Sequence, residues 1–437
     1  MRRGSPSLAG LMVLASVSLA APLRANGRLP MAGQVVLGGA GSQTLLLRTT
    51  FGIALSHDGG ASFRYVCEKA MHYGGAQDPP YALTPEGRIL LVSSLGYVRG
   101  DAAGSHFDDT VPLRGARDLT VDPEGKTTWL LASTFQGEAD AGAYTFVSRL
   151  FRAGVEGEGL EPDAGFWLPA DQLYETVETL PGDPSRVLLS GAAHGNRQPD
   201  RASLSISEDG GEHFHRTTVP LEGRESSVYL AGIEGTGDAA QVFVRTAGGV
   251  QTPGRLLTAT FGDLADRARR GEEAGLREVL RLSGPVLGFA LDHAGSVYAG
   301  GDEGVFQART DALRFEKRSS LRARCLAARP GELWACADEA SGFLLGVSHD
   351  RGARFAAVLR LGQLQGLVPG AEIEAACGEE WQNLQREYMT KPMQRPEAEA
   401  SWLFRIGYVV GFFALMFVAV ALSKLRARKP KRSRTLL

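Results

Sequence analysis

SEDGGEHF, from Ser207 to Phe214, is the stretch that decides how this chain reads, because it recurs as SHDGGASF from Ser56 to Phe63 and as SHDRGARF from Ser348 to Phe355. The shared pattern is Ser-x-Asp-x-Gly-x-x-Phe. In each copy the aspartate (Asp58, Asp209, Asp350) can accept hydrogen bonds from backbone amides just downstream, and Gly60, Gly211 and Gly352 supply a positive φ. Such a segment turns the chain tightly between two antiparallel strands. Phe63, Phe214 and Phe355 then open the next strand with a large apolar group that folds back over the turn or into the sheet. The aspartates are 151 and then 141 residues apart. Each interval is about three units of roughly 47 to 50 residues, the size of a four-stranded blade. The three copies therefore fall in blades one, four and seven of a seven-bladed ring.

Working outward, β-rich runs bounded by turn residues cover Gln34 to Glu68, Tyr81 to Leu113, Arg117 to Leu168, Leu173 to Leu221, Ser227 to Leu282, Pro285 to Arg318 and Leu321 to Leu364. Within them short apolar strands such as Arg88 to Val92 and Trp129 to Ala132 follow Gly, Asp or Lys turns. Eroded copies of the pattern stand at Asp101 to Phe107 and Asp311 to Phe315. Their incomplete spacing leaves six or eight blades open beside seven.

The pattern resembles the Asp box, or BNR repeat, of sialidases, sortilin-like receptors and photosystem assembly factors. That resemblance implies an all-β propeller in which the box is a structural hairpin remote from any active site. Similarity to sialidases would further imply an arginine triad on a substrate carboxylate, a Tyr-Glu pair and an acid-base Asp. The first arginine of that family lies in a Phe/Tyr-Arg-Ile-Pro motif ahead of the first box, and this sequence has none. Its nearest string, Phe404-Arg405-Ile406-Gly407, lies in a C-terminal apolar run. The expectation is a protein that is not an enzyme, with no catalytic residues and no cofactor. A binding scaffold predicts an exposed apolar or aromatic patch on one face. A glycoside hydrolase predicts clustered Arg, Tyr, Glu and Asp in the central bowl, and a sortilin-like sorting receptor predicts a wide tunnel and tail signals.

The termini suggest a compartment. Arg2-Arg3, an apolar run from Leu8 to Ala21 and small residues up to Ala25 follow the order of an export signal over residues 1–25. Residues 402–422 are apolar apart from Arg405, long enough to cross a bilayer core of about 30 Å as a helix. Seven Lys or Arg and no acid lie between Lys424 and Arg434, which places the tail 423–437 in the cytoplasm. A propeller over 26–370 would then be joined to the membrane by a helix and stalk over 371–401, with the helix itself at Ala371 to Tyr388. Setting aside Arg2, Arg3, Arg24 and the tail cations leaves 37 basic against 49 acidic residues, a net charge near −12 outside the cytoplasm. That balance disfavours nucleic acid as a partner. The expected partners are the membrane and a protein, or a glycan, in the periplasm or at a bacterial cell surface.

Four cysteines form an even set in an exported chain, where disulfides persist. Cys325 and Cys336 flank a Pro330-Gly331 turn and suit a cross-strand bridge. Cys67 and Cys377 remain, either as a bridge tying the ends of the ring or as free thiols. No Cys-x-x-Cys spacing exists, so no metal site is expected. His213 and His215 alternate as they would on one strand face, but lack a third ligand. Asp108 and Asp109, Glu272 and Glu273, and Asp302 and Glu303 read as solvated turns. Asp263 to Leu280 reads as a helical insertion on blade five. Gln136 to Tyr144, Ala192 to Arg201 and Ala247 to Gly254 are the candidate contact loops.

Overall fold

Seven antiparallel sheets follow one another along the chain. The computed structural model describes residues 30–389 except 40, 76, 123–124, 139–143, 155–159, 161–164, 195–200 and 250. The chain divides into two compact units, Met1–Lys391 and Pro392–Leu437, and every described residue belongs to the first. Among the described residues no helix is long and apolar enough to cross a membrane. The leader expected over 1–25 and the span expected over 402–422 lie outside the described residues.

The sheets run Ala32–Cys67, Tyr81–Gly100, Ala116–Trp167, Leu173–Pro220, Glu225–Leu282, Gly288–Ser319 and Cys325–Leu359. Six have four strands in chain order, and the second has three. In blade two, single bridges from Tyr97 to Val111 and from Gly100 to Phe107 stand where a fourth strand would run. The first strand of each sheet touches the first strand of the next, and the seventh, Cys325–Arg329, returns to the first, Ala32–Leu37. This is an all-β, seven-bladed propeller, and it removes the six- and eight-bladed alternatives. Central strands such as Leu45–Leu47, Trp129–Leu131, Val187–Leu189 and Val242–Val244 are wholly buried. They lie between neighbouring blades, which is why they read as unbroken apolar runs.

The up-and-down order of strands gives the disc two unlike faces. One carries the turns between second and third strands together with the blade-to-blade connectors. The other carries the remaining turns, including all three Ser-x-Asp-x-Gly-x-x-Phe segments, between third and fourth strands of blades one, four and seven.

Those three turns share one geometry. The serine hydroxyl donates to the aspartate at 2.8 Å in each (Ser56 to Asp58, Ser207 to Asp209, Ser348 to Asp350). It also accepts from the amide of Gly60, Gly211 or Gly352 at 2.8 to 2.9 Å. The aspartate in turn accepts the amides of Ser62, His213 and Arg354 at 2.9 to 3.0 Å. The eroded copy repeats this last bond, from the Ser105 amide to Asp101 at 2.8 Å.

The glycines do more than turn the chain. Their φ values are +95°, +88° and +83°, and a Cβ on each would meet the preceding blade. At Gly60 it would lie 3.0 Å from Val358 of blade seven, at Gly211 3.3 Å from Trp129 of blade three, and at Gly352 3.2 Å from Val305 of blade six. Phe63 is fully buried, and Phe214 packs on the Trp129 cluster of blade three. Each segment thus seats its blade on the one before it.

His213 lies in the turn rather than in a strand with His215, and its ring bonds Asp209 at 2.7 Å, which corrects the shared-face expectation. The His213 amide, then its ring, holds the Asp209 carboxyl down at about 2. Asp209→Ala is expected to lower stability by about 1–2 kcal/mol at neutral pH through lost turn bonds. A depressed carboxyl stabilises the fold above its unfolded value and loses that contribution as pH falls through its folded value. Urea unfolding should therefore separate variant from wild type at pH 7 and bring them together near pH 2.

One further expectation is revised. The blade-five insertion is a shorter helix, α1 (Phe261–Arg270), capped by the Thr260 hydroxyl at the Asp263 amide. Arg277–Leu282 is not part of it but forms the outer strand of the blade. The acidic turns have local partners: Asp108 pairs with Arg99 at 2.7 Å, Glu272 with Arg270 at 2.8 Å, and Glu303 accepts the Ser283 amide.

Every blade is one continuous stretch of chain, so no sheet mixes first and last strands. Closure uses a strap instead. Beyond blade seven, residues 364–370 run beside the outer strand of blade one, with the Tyr65 amide on the Gly366 carbonyl at 2.8 Å and the Val368 amide on the Tyr65 carbonyl at 3.0 Å. Helix α2 (Ala371–Leu384) follows, setting Trp381 5.8 Å from the Tyr65 ring and Cys377 in a disulfide with Cys67, 310 residues away. The second disulfide joins Cys325 to Cys336, directly opposed on the first two strands of blade seven.

A buried ion cluster sits where blade four passes to blade five. Arg255 donates to both oxygens of Glu225 at 2.8 and 2.5 Å, to Glu222 at 2.9 Å and to the Pro220 carbonyl at 3.0 Å. Thr246 completes it with a hydroxyl bond to Glu225 at 2.6 Å.

Candidate functional site

The ring axis carries the chemistry. On the connector face it opens into a bowl of about 620 Å³ walled by blades two to five, with Arg117, Asp118, Glu175, Tyr229 and Arg245 among its lining. On the opposite face the axis ends in a smaller, more apolar cavity of about 330 Å³, lined by Phe289, Leu291 and Leu326 together with Glu178.

Apart from Arg245, on the second strand of blade five, these side chains come from inner strands, where register irregularities at Ala116/Asp118 and Tyr174/Thr176 bring consecutive residues into the bowl. In blade three, Ala116–Val121 presents Arg117, Asp118 and Thr120. In blade four, Leu173–Leu180 presents Glu175, Thr176 and Glu178, and blade five adds Tyr229 and Arg245. Cross-blade bonds hold them in place. Arg117 pairs with Glu175 at 3.2 Å and donates to the Ser133 carbonyl at 2.9 Å. Asp118 accepts the Val177 amide at 2.9 Å, Thr120 donates to Glu178 at 3.2 Å, and Thr176 accepts the Leu230 amide at 2.9 Å.

Crowding by three blades strips water from the acids. Burial raises Asp118 to about 8, with the neighbouring Glu178 adding to the rise against the Val177 amide. Burial likewise raises Glu178 to about 7, opposed by the Thr120 hydroxyl, and raises Glu175 against the pull of Arg117. At neutral pH the bowl therefore holds Asp118 largely as a neutral acid, a proton donor beside two guanidiniums. A carboxyl of this kind can bind a ligand oxygen or pass a proton to it.

Sequence reasoning named none of these bowl residues. A signal was present in polar side chains at alternating positions of ARDLTV and YETVE, where a strand packed on both faces would be apolar. The residues that it did name lie elsewhere. The three turn segments are on the opposite face near the rim, and Cys67, Cys377, Cys325 and Cys336 serve the ring's integrity. Among the described residues the one trio of metal-ligand type is Asp209, Glu212 and His213, fully exposed and already joined by the Asp209–His213 bond.

The rim offers a second surface. Leu95, Phe135 and Trp167 are the exposed large hydrophobics among the described residues, at 57%, 57% and 65%, and all belong to blades two and three. Between these blades lies a cleft of about 480 Å³ with Leu113, Phe135, Val147 and Phe151 in its walls and Arg114 and Arg149 as its charges. The Arg149 guanidinium lies 3.8 Å over the Trp167 ring. Phe135 also meets Tyr144 edge-on at 5.3 Å, where the first of the expected contact loops ends. The middles of the three loops, 139–143, 195–200 and 250, lie outside the described residues.

No family model matches this chain. No curated protein matches it either. Solved structures do resemble it in fold. The extracellular domain of a putative one-component system from B. thetaiotaomicron aligns at 12% identity over 71% of this chain and 37% of its own, with a TM-score of 0.43. This chain thus spans little more than a third of that structure's length. An oligogalacturonate lyase solved with manganese aligns at 11% identity over 67% of this chain and 85% of its own, TM-score 0.39. The acylaminoacyl peptidase of Pyrococcus horikoshii aligns at 10% over 76% and 52%, TM-score 0.46. Likeness at this level concerns the fold alone. On that ground the expectation that the protein is not an enzyme is withdrawn. The fold assigns neither catalysis nor its absence.

Proposed function

We propose that this protein is an extracytoplasmic propeller, tethered to a membrane through residues 402–422 with its basic tail 423–437 in the cytoplasm, that serves as a docking platform for a protein partner. The observation that carries the reading is the gathering of Leu95, Phe135 and Trp167 on two adjacent blades. Exposed apolar side chains grouped around a cleft mark an interaction surface far better than the same residues scattered. Among the described residues its lining holds two arginines and no carboxylate. Its complement is a segment bearing apolar and acidic side chains, which favours a protein over a neutral glycan. Two disulfides agree with an oxidising compartment.

Site-specific photo-crosslinking in native membranes tests this, with a benzophenone side chain at position 135 or 167 and a control at position 277 on the outer strand of blade five. One recurring protein adduct is expected at 135 and 167, absent at 277 and lost in an Arg114→Glu/Arg149→Glu background. Identical adducts at all three positions, adducts indifferent to the charge reversal, or adducts that are glycan alone would overturn the reading.

A further inference from the structure

We propose that the axial bowl is a binding site for a small hydroxylated carboxylate, of the class of acidic sugars and hydroxy acids, with Arg245 as the anchoring cation. The inference does not depend on the rim surface, although Thr134 lines both cavities.

It begins with one guanidinium that lacks a salt bridge in a bowl also lined by Asp78, Asp118 and Glu175. Arg117, the other guanidinium in the bowl, has an ion-pair partner in Glu175. Arg245 makes no ion pair among the described residues. Its one hydrogen bond there goes from Nη1 to the Val286 carbonyl at 2.8 Å, and its guanidinium lies 5.1 Å from the centre of the Tyr229 ring. A guanidinium carries five N–H donors, so most of its fork is left for something else. Burial also works against its charge and lowers its proton affinity. A guanidinium whose acidic neighbour Asp118 is held largely uncharged, and which makes no salt bridge, is costly to bury, and here it lines an open cavity large enough for a ligand. An anion entering from the connector face would supply the missing charge, and a carboxylate matches the planar fork with two parallel bonds.

The remaining lining narrows the class. Ser93, Ser94, Thr134 and the Gln77 carboxamide face the same space, suiting a ligand with several hydroxyls better than an apolar acid. Asp118 adds a condition. Glu178 from blade four and Arg245 from blade five face it, with Asp78, Arg117, Glu175 and Tyr229 lining the same bowl. Its carboxyl, raised to about 8, is an uncharged donor to the ligand at neutral pH and becomes a repelling anion above that. Binding should therefore weaken as pH rises from about 7 to 9, while Arg245 stays charged throughout.

The test uses the full-length chain purified in detergent and ligand-observed NMR with four probes: glucuronate, tartrate, glucose and glucosamine. Glucuronate or tartrate is expected to bind, telling acidic sugar from hydroxy acid, and glucose and glucosamine are expected to bind at least about tenfold more weakly for want of the charge-assisted pair. Arg245→Gln should weaken the acid by roughly tenfold or more, with the thermal transition recorded to show that the ring is intact. Asp118→Asn, which fixes the uncharged form, should keep binding at pH 9 where the wild type loses it. Glucose binding as tightly as glucuronate, no binding by either acid, acid binding unchanged in a folded Arg245→Gln variant, or a pH profile unmoved by Asp118→Asn would each overturn the proposal.

Discussion

Removing the Cys67–Cys377 link by the double substitution Cys67→Ser/Cys377→Ser is expected to lower the unfolding free energy by about 4–6 kcal/mol, the largest loss available from any one crosslink in this chain. The partners are 310 residues apart, whereas Cys325 and Cys336 are separated by 11. On a chain-entropy model the short bridge is worth about 3 kcal/mol, so the two pairs should differ measurably in urea. Position adds to length. Because no blade mixes first and last strands, blades one and seven are held together by inner-strand packing, by the Gly60 turn seated on Val358, by the strap bonds to Phe63 and Tyr65 and by this disulfide. Without it the strap keeps its three backbone bonds to Phe63 and Tyr65 and the Tyr65–Trp381 contact, enough to fold but not to resist opening. A loss below about 1 kcal/mol for the long-range pair would show that closure does not depend on the strap.

Arg255→Met is expected to cost about 3–5 kcal/mol at neutral pH, because it leaves Glu225 buried without its cation. Burial by itself would raise the Glu225 carboxyl, but the Arg255 guanidinium and the Thr246 hydroxyl outweigh it and hold the group below its ordinary value. In the wild type that depression stabilises the fold above the unfolded pKa of the carboxyl and is lost as pH falls. The variant reverses the sign. Its Glu225 titrates above the ordinary value, so its fold gains stability as acid protonates the group. The gap between the two proteins should be widest near pH 7 and shrink towards pH 4. Arg255→Met/Glu225→Leu, which removes both charges, should recover most of the loss. A penalty that is flat with pH would mean that lost packing rather than a stranded charge is responsible.

How much was readable beforehand follows from the range over which each feature is encoded. The three Ser-x-Asp-x-Gly-x-x-Phe turns are written within eight residues apiece, and their spacing carried the blade count. Cys325 and Cys336 sit across a single turn, so their pairing was equally local. Arg117, Glu175 and Arg245 lie on three consecutive blades and meet only once those blades have packed together. Nothing within one blade's length marks them as neighbours. The strap was hidden for a related reason. The sequence between Leu364 and Gly370 has no strand periodicity, and it pairs with Tyr65 because helix α2 holds it there. His213 was misplaced because its alternation with His215 looked strand-like, whereas Asp209 captures its amide and ring in the turn.

The closing strap also fixes an order of events. On a ribosome the outer strand of blade one appears early, and its partner in α2 appears only after all seven blades have been made. Every blade can form its own hairpins as it emerges, but the disc cannot lock until the final segment arrives. Cys67 must therefore spend nearly the whole of synthesis as an unspent thiol while Cys325 and Cys336 meet within a few residues of each other. A chain cut short before residue 377 would carry all seven blades without their covalent tie, and the unpaired sulfur of Cys67 would report that assembly had stopped one step short.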